Sequence, residues 1–201
     1  MGRDASPACT WTSSQPGPES KIQNGHMILL INGPFGVGKT TVGRLIRRRI
    51  PGSRLYNPEW TGSLLMRLPF IRLRGAGTDD FQDIDLWRRT VVHGTRVFRS
   101  IARDTVIVPM TFSRRDYYDE IVSGIREFDD DVRTFCLKAE MPTILERLKQ
   151  RGEKIREEED NWPARKLREC IEAHKDPHFG EPLNTENLTA AEVADQILQR
   201  L

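Results

Sequence analysis

The chain has 201 residues, 37% of them hydrophobic and 30% charged, with a formal net charge of +2. That length and composition fit one globular domain with a sizeable core and a polar surface. They exclude a strongly basic nucleic-acid binder, and no apolar run approaches the roughly 18 residues of a membrane span.

Residues 1–26 hold Pro7, Pro16, Gly17 and Pro18, many serines and threonines, and almost no aliphatic side chains. Such a stretch buries too little apolar surface to offset its ordering entropy, so a disordered extension is expected. It has no apolar segment of the kind a secretory signal needs. Met27, which opens the first predicted strand, is an alternative start, and the folded unit is expected over residues 27–201. Cys9, Cys136 and Cys170 are far apart and odd in number; they point to reduced thiols in a cytoplasmic protein rather than a disulfide frame.

Met27-Ile28-Leu29-Leu30-Ile31 has the length and β-branched content of a buried parallel strand. Gly33-Pro34-Phe35-Gly36-Val37-Gly38-Lys39-Thr40-Thr41 follows and matches G-x-x-x-x-G-K-[ST]. Val42, Leu45, Ile46 and Ile50 then recur at helical spacing, with Arg44, Arg47 and Arg48 on other faces. In this strand–loop–helix frame the pattern has a mechanism. Glycines 33, 36 and 38 let the backbone take positive φ and approach a ligand, and successive N–H groups at the helix start form an anion nest. Lys39 would reach the β- and γ-phosphates of a nucleoside triphosphate, and the Thr40 hydroxyl would ligate Mg2+. The competing reading is a glycine-rich turn with a solvated lysine.

Pro51-Gly52 stops the helix. A short strand over 53–56 leads into Asn57-Pro58-Glu59-Trp60, with Pro58 placing Glu59 in a loop at the strand's C-terminal end, the edge where open α/β sheets bind ligands. Glu59 is either a general base for an acceptor hydroxyl or a solvated loop glutamate. Residues 61–79 interleave Arg67, Arg72 and Arg74 with Leu64, Leu65, Met66, Leu68, Phe70 and Ile71, which suits an acceptor-binding lid or an ordinary surface helix. A helix is predicted from Asp80 to about Arg103, buried along Phe81, Ile84, Trp87, Val91, Phe98 and Ile101. Asp83, Asp85 and Arg88 near its start are candidates for a substrate contact, or a surface ion pair and helix-dipole charges.

Strand three, Thr105 to Val108, runs into Pro109-Met110-Thr111, with a threonine where many triphosphatases carry an acidic residue. Ser113 and Asp116 have capping-box spacing for the next helix, and Asp129-Asp130-Asp131 is expected as a solvated turn before strand four, Val132 to Leu137. Pro142 opens a helix that packs through Ile144, Leu145 and Leu148 and carries Arg147 and Arg151 on another face. With the charged run after Gly152, a small lid over about 152–162 is expected, its arginines closing on the transferring group; two solvated helices are the plain alternative. Cys170, His174 and His178 are loosely spaced like metal ligands, but Pro177 breaks the helix and no fourth ligand stands near. A last strand is expected near 182–185, and Thr189 with Glu192 makes a capping box for a closing helix to Leu201.

These pieces predict an α/β fold in three layers, a P-loop kinase arrangement with about five parallel strands, helices on both faces and a small lid. From Met27 to Leu201 the chain resembles the tunicamycin-resistance protein family, on Ile31 to Thr40, Tyr56 to Glu59, Asp80-Phe81-Gln82 with Leu86-Trp87-Arg88, Ile107 to Thr111, Leu145 to Arg151, Trp162 with Lys166, and Asn184 to Leu188. The resemblance implies an ATP-binding protein that confers resistance to tunicamycin, a lipid-linked nucleoside antibiotic, with γ-phosphate transfer from Mg-ATP to a hydroxyl as the mechanism the fold suggests. Its alternative is an ATP-binding protein that sequesters the drug. A nucleic-acid partner is not expected, and an apolar groove near 64–71 would suit a lipid tail. On this reading the nucleotide is held by residues 33–41, with Lys39, Glu59, Arg147 and Arg151 acting on the reacting groups. The family's segment after strand two usually reads Asp-Pro-Glu, whereas this chain has Asn57 first. A GTPase or motor ATPase is disfavoured, because the chain lacks an Asn-Lys-x-Asp motif and an acidic pair after strand three.

Overall fold

A computed structural model describes residues 26–59, 80–153, 155 and 161–201. The N-terminal extension, the 61–79 insert and most of the charged part of the expected lid lie outside the described residues. Five parallel strands form one sheet in the order β2-β3-β1-β4-β5, with β1 at Ile28–Asn32, β2 at Arg54–Leu55, β3 at Val106–Pro109, β4 at Val132–Lys138 and β5 at Glu181–Asn184. In the centre, Ile28 is level with Val106 on one side and Val132 on the other. Every residue of β1 is buried, as a strand covered on both faces must be, and this is why it reads as an unbroken apolar run.

The helices are α1 (Lys39–Arg49), α2 (Asp85–Ile101), α3 (Arg115–Arg126), α4 (Met141–Gln150), α5 (Trp162–Ala173) and α6 (Ala190–Leu198). Odd and even β1 residues point to opposite layers. Leu29 and Ile31 meet Val42 and Ile46 of α1 and Val193 and Ile197 of α6, while Ile28 and Leu30 meet Trp87 and Val91 of α2 and Ile121 and Ile125 of α3. A smaller cluster of Ile144, Leu148 and Leu167 joins α4 to α5, with Phe35 of the glycine-rich loop packed against it.

Several local expectations change. The segment after Asp80 is a short 3-10 turn, Phe81–Asp83, before α2 begins. Ile101 is 55% exposed, because the buried stripe runs Trp87, Val91, Thr95, Phe98 and Ala102, and Ile101 falls a residue to one side of it. Ser113 and Asp116 make no capping box. Arg114 occupies the N-cap of α3 with no side-chain cap, Asp116 pairs with Arg114 at 2.6 Å, and the Ser113 hydroxyl accepts from Lys166 Nζ at 2.8 Å. Asp129 is not solvated but pairs with Arg99 of α2. The Thr189–Glu192 capping box forms at α6.

Candidate active site

Asn32, the last residue of β1, is fully buried. Its Oδ1 accepts from Gly33 N at 2.7 Å and Phe112 N at 2.9 Å, so one amide ties the start of the loop to the segment after β3. Gly33, Gly36 and Gly38 have φ of 145°, 87° and 110°. At Gly36 the lack of a side chain is also steric, since a Cβ there would lie 2.8 Å from both Ile144 and Leu148 of α4. Gly38 differs, with nothing within 4 Å of where its Cβ would be. Gly38 is the N-cap of α1, which has no side-chain cap and no acidic residue in its first turn. The positive end of α1 therefore opens onto free space, as an anion site requires.

Lys39, one residue into α1, is 5% exposed. Its three ammonium hydrogens have three acceptors: Gly33 O at 2.8 Å, Pro34 O at 3.1 Å and Thr111 Oγ1 at 2.8 Å. Burial pushes the ammonium below its ordinary value, with the negative charge of Glu59 opposing. Thr111 Oγ1 in turn donates to Glu59 Oε1 at 3.0 Å. A lysine has no acceptor, so the single Thr111 hydroxyl hydrogen is committed to the carboxylate. Lys39, Thr111 and Glu59, from three separate segments at the C-terminal edge of the sheet, form one connected chain.

Glu59 is helical with Pro58, not the loop residue expected; proline is accommodated at the first position of a helical turn because its missing N–H has no partner there. Asn57 Oδ1 accepts from Glu59 N at 3.1 Å, an Asx cap. An aspartate offers the same oxygen, so Asn57 holds Glu59 as the more usual residue would. Trp87 Nε1 of α2 donates to Pro58 O at 3.2 Å and fixes this turn from the other side.

Arg147 of α4 donates to Val37 O at 3.1 Å, to Thr185 Oγ1 at 2.9 Å and to Thr185 O at 2.6 Å, locking the loop to the end of β5. It borders a cavity of about 310 Å3 together with Val37, Thr41, Arg151, Leu188 and Val193. Arg151 is exposed and lies 3.5 Å from Glu153. Replacing Arg147 by alanine leaves the Val37 and Thr185 oxygens without this donor, and stability falls by about 1–2 kcal/mol. Thermal unfolding of wild type and variant checks this.

A second polar cluster, with no role assigned to it from the sequence, lies beside Thr111. Lys166 of α5 pairs with Asp80 Oδ2 at 2.7 Å while holding Ser113, and Asp80 Oδ1 accepts from Gln82 N at 2.9 Å. Asp83 accepts from Tyr117 OH at 2.8 Å, and Asp85 lies 3.6 Å from Arg88 and 3.0 Å from Arg89, so these candidates make intramolecular pairs. Cys136 and Cys170 are buried free thiols, each pushed up to about 11 by burial.

His174 is 2% exposed, and its Nε2–H donates to Phe112 O. Burial lowers its pKa to about 4, although the Phe112 bond opposes this. A folded-state value below the unfolded one contributes stability above about pH 6.5 that is lost as pH falls towards 4. The expected loss is about 3 kcal/mol. Urea unfolding at pH 7.5 and pH 4 measures it, and His174→Gln reduces the difference by that amount.

The AAA domain family matches residues 28–177. No curated protein sequence matches the chain. Among solved structures, the tunicamycin resistance protein of Deinococcus radiodurans is 27% identical, with 87% of this chain and 94% of that one covered and a TM-score of 0.67. A gluconokinase from Sinorhizobium meliloti is 19% identical, covering 88% and 92%, with a TM-score of 0.60. Shikimate kinase from Acinetobacter baumannii is 17% identical, covering 90% and 96%, with a TM-score of 0.56. The fold is that of the P-loop kinases. No helix among the described residues is long and apolar enough to cross a membrane.

Proposed function

The chain belongs to the AAA domain family, and from its site we propose that it is a phosphotransferase passing the γ-phosphoryl group of Mg-ATP to a hydroxyl of a small molecule, tunicamycin being the first acceptor to test. The observation that carries this reading is the buried Lys39–Thr111–Glu59 chain beside the uncapped start of α1. It sets a cation and a carboxylate one hydroxyl apart at an anion-binding edge, which is what in-line transfer to an alcohol needs. The likeness to the Deinococcus radiodurans protein supports the choice of acceptor.

ATP supplies an activated phosphoryl group, and the amides of residues 33–41 bind its triphosphate. Lys39 exchanges one of its present acceptors for phosphate oxygens and balances charge as it builds. The Thr40 hydroxyl would hold Mg2+. Glu59 takes the proton from the acceptor hydroxyl, held in place by Asn57, Thr111 and the Trp87–Pro58 bond. Arg147 borders the cavity beside Val37 where the base and ribose fit, and Arg151 at the same mouth reaches the phosphates. The protein contributes position and electrostatics rather than covalent chemistry.

Incubation of the purified protein with Mg-ATP and tunicamycin, followed by mass spectrometry, tests the reading. A gain of about 80 daltons on the drug, the added phosphoryl group, is expected. Unmodified drug bound tightly to the protein would replace transfer with sequestration.

A further inference from the structure

A second cavity, of about 840 Å3, lies beyond the edge strand β2, between α1 and α2. Its described lining is Thr40, Arg44, Arg47, Arg48, Leu55, Tyr56, Asn57 and Phe98, with no carboxylate among them. The three arginines have no ion-pair partner among the described residues, whereas Arg49, turned to the opposite side of α1, pairs with Asp195 of α6. Like charges at i, i+3 and i, i+4 on one helix face repel each other. The helix dipole accounts for arginines in the last turn, where Arg47 and Arg48 sit, but not for Arg44. Nor does it account for all three reaching one cavity without a counter-charge.

The opposite wall is apolar. Tyr56 and Phe98 stack with ring centroids 4.9 Å apart, and Tyr56 is seated there because Gly94 of α2 leaves room, a Cβ at that position falling 2.3 Å from the Tyr56 hydroxyl. The volume is that of a pocket for a drug-sized ligand. Guanidinium forks on one side and aromatic rings on the other match an organic phosphate ester, the phosphate taking charge-assisted bidentate bonds and the organic body covering the rings. Thr40, next to Lys39, and Asn57, the cap of Glu59, also line the cavity.

We propose that this cavity is a binding site for an organic phosphate ester, a ligand that carries its phosphate group on an apolar or aromatic body. The site stands independently of the reading of Lys39 and Glu59 given above.

The probe is 1-naphthyl phosphate, titrated by fluorescence against the full chain, with 1-naphthol and inorganic phosphate as controls. Wild type is expected to bind it saturably and at least about tenfold more tightly than either control, as several charge-assisted bonds plus ring contact imply. Arg44→Gln/Arg47→Gln, both at exposed positions, weakens it at least tenfold, and Arg49→Gln leaves it unchanged. Absence of saturable binding to wild type, or undiminished binding to the double variant, would each overturn the proposal. Mg-ATP titrated into the same samples reads the phosphotransferase assignment separately. Wild type that binds the naphthyl ester but not ATP keeps the anion site and removes the phosphotransferase reading.

Discussion

Lys39→Ala is expected to lower ATP-dependent phosphoryl transfer by about 10³-fold, the scale on which removal of one preorganised charge from an active site is felt. The side chain is buried with all three hydrogens committed to Gly33, Pro34 and Thr111. No solvated lysine is seated in this way, so the bland reading of the motif fails on geometry. Burial already works against the charged ammonium, and phosphate oxygens would restore part of the solvation it has lost. The variant also frees the Thr111 hydroxyl from its cationic donor and leaves the Gly33 and Pro34 carbonyls without it, a cost to the fold of about 1–2 kcal/mol. Turnover assays beside thermal unfolding separate the two effects. Transfer within tenfold of wild type would show that Lys39 is structural.

Glu59→Gln is expected to reduce turnover by about 10²- to 10⁴-fold, the range for loss of a general base, with ATP affinity nearly unchanged. The amide oxygen of glutamine can still accept from Thr111, so the substitution removes basicity while preserving shape and this bond. Thr111→Val removes the hydroxyl that joins Glu59 to Lys39 and should cost roughly tenfold, the worth of one buried hydrogen bond to a charged group. If Thr111 acts through Glu59, the two losses are not additive, and the double variant is little worse than Glu59→Gln alone. Additive losses would mean that Thr111 serves Lys39 or the fold instead. ATP hydrolysis with water as acceptor supplies the readout without any assumption about the natural acceptor.

The centre of the fold was legible because it is local. β1, the loop and α1 are contiguous, and the unbroken apolar run of β1 and the helical spacing of Val42 and Ile46 each match the layers they pack against. The Thr189–Glu192 box was legible for the same reason. Errors came where a distant side chain claims a residue. Ser113 and Asp116 have the right spacing for a cap, but Lys166 takes the Ser113 hydroxyl and Arg114 takes Asp116. Asp129 reads as a turn residue until Arg99 of α2 is brought against it.

The site shows the same division. The loop residues follow from their motif, yet Thr111 was visible only as a missing acid, since nothing in Val-Pro-Met-Thr says that its hydroxyl bridges Lys39 and Glu59. The spacing of Asn57 and Glu59 does contain an Asx-turn signal, which explains why asparagine stands there. The Lys166–Asp80 pair has no local signature. Its partners come from the segment before α2 and from α5, far apart in sequence.

The central claim is that the amides at the start of α1, with Lys39, hold a triphosphate. Titration calorimetry of Mg-ATP into the purified chain tests it most directly. Saturable binding to wild type, weakened at least about a hundredfold in Lys39→Ala as loss of a charge-assisted phosphate contact requires, is the predicted result. No binding to wild type, or equal binding to both proteins, would contradict it.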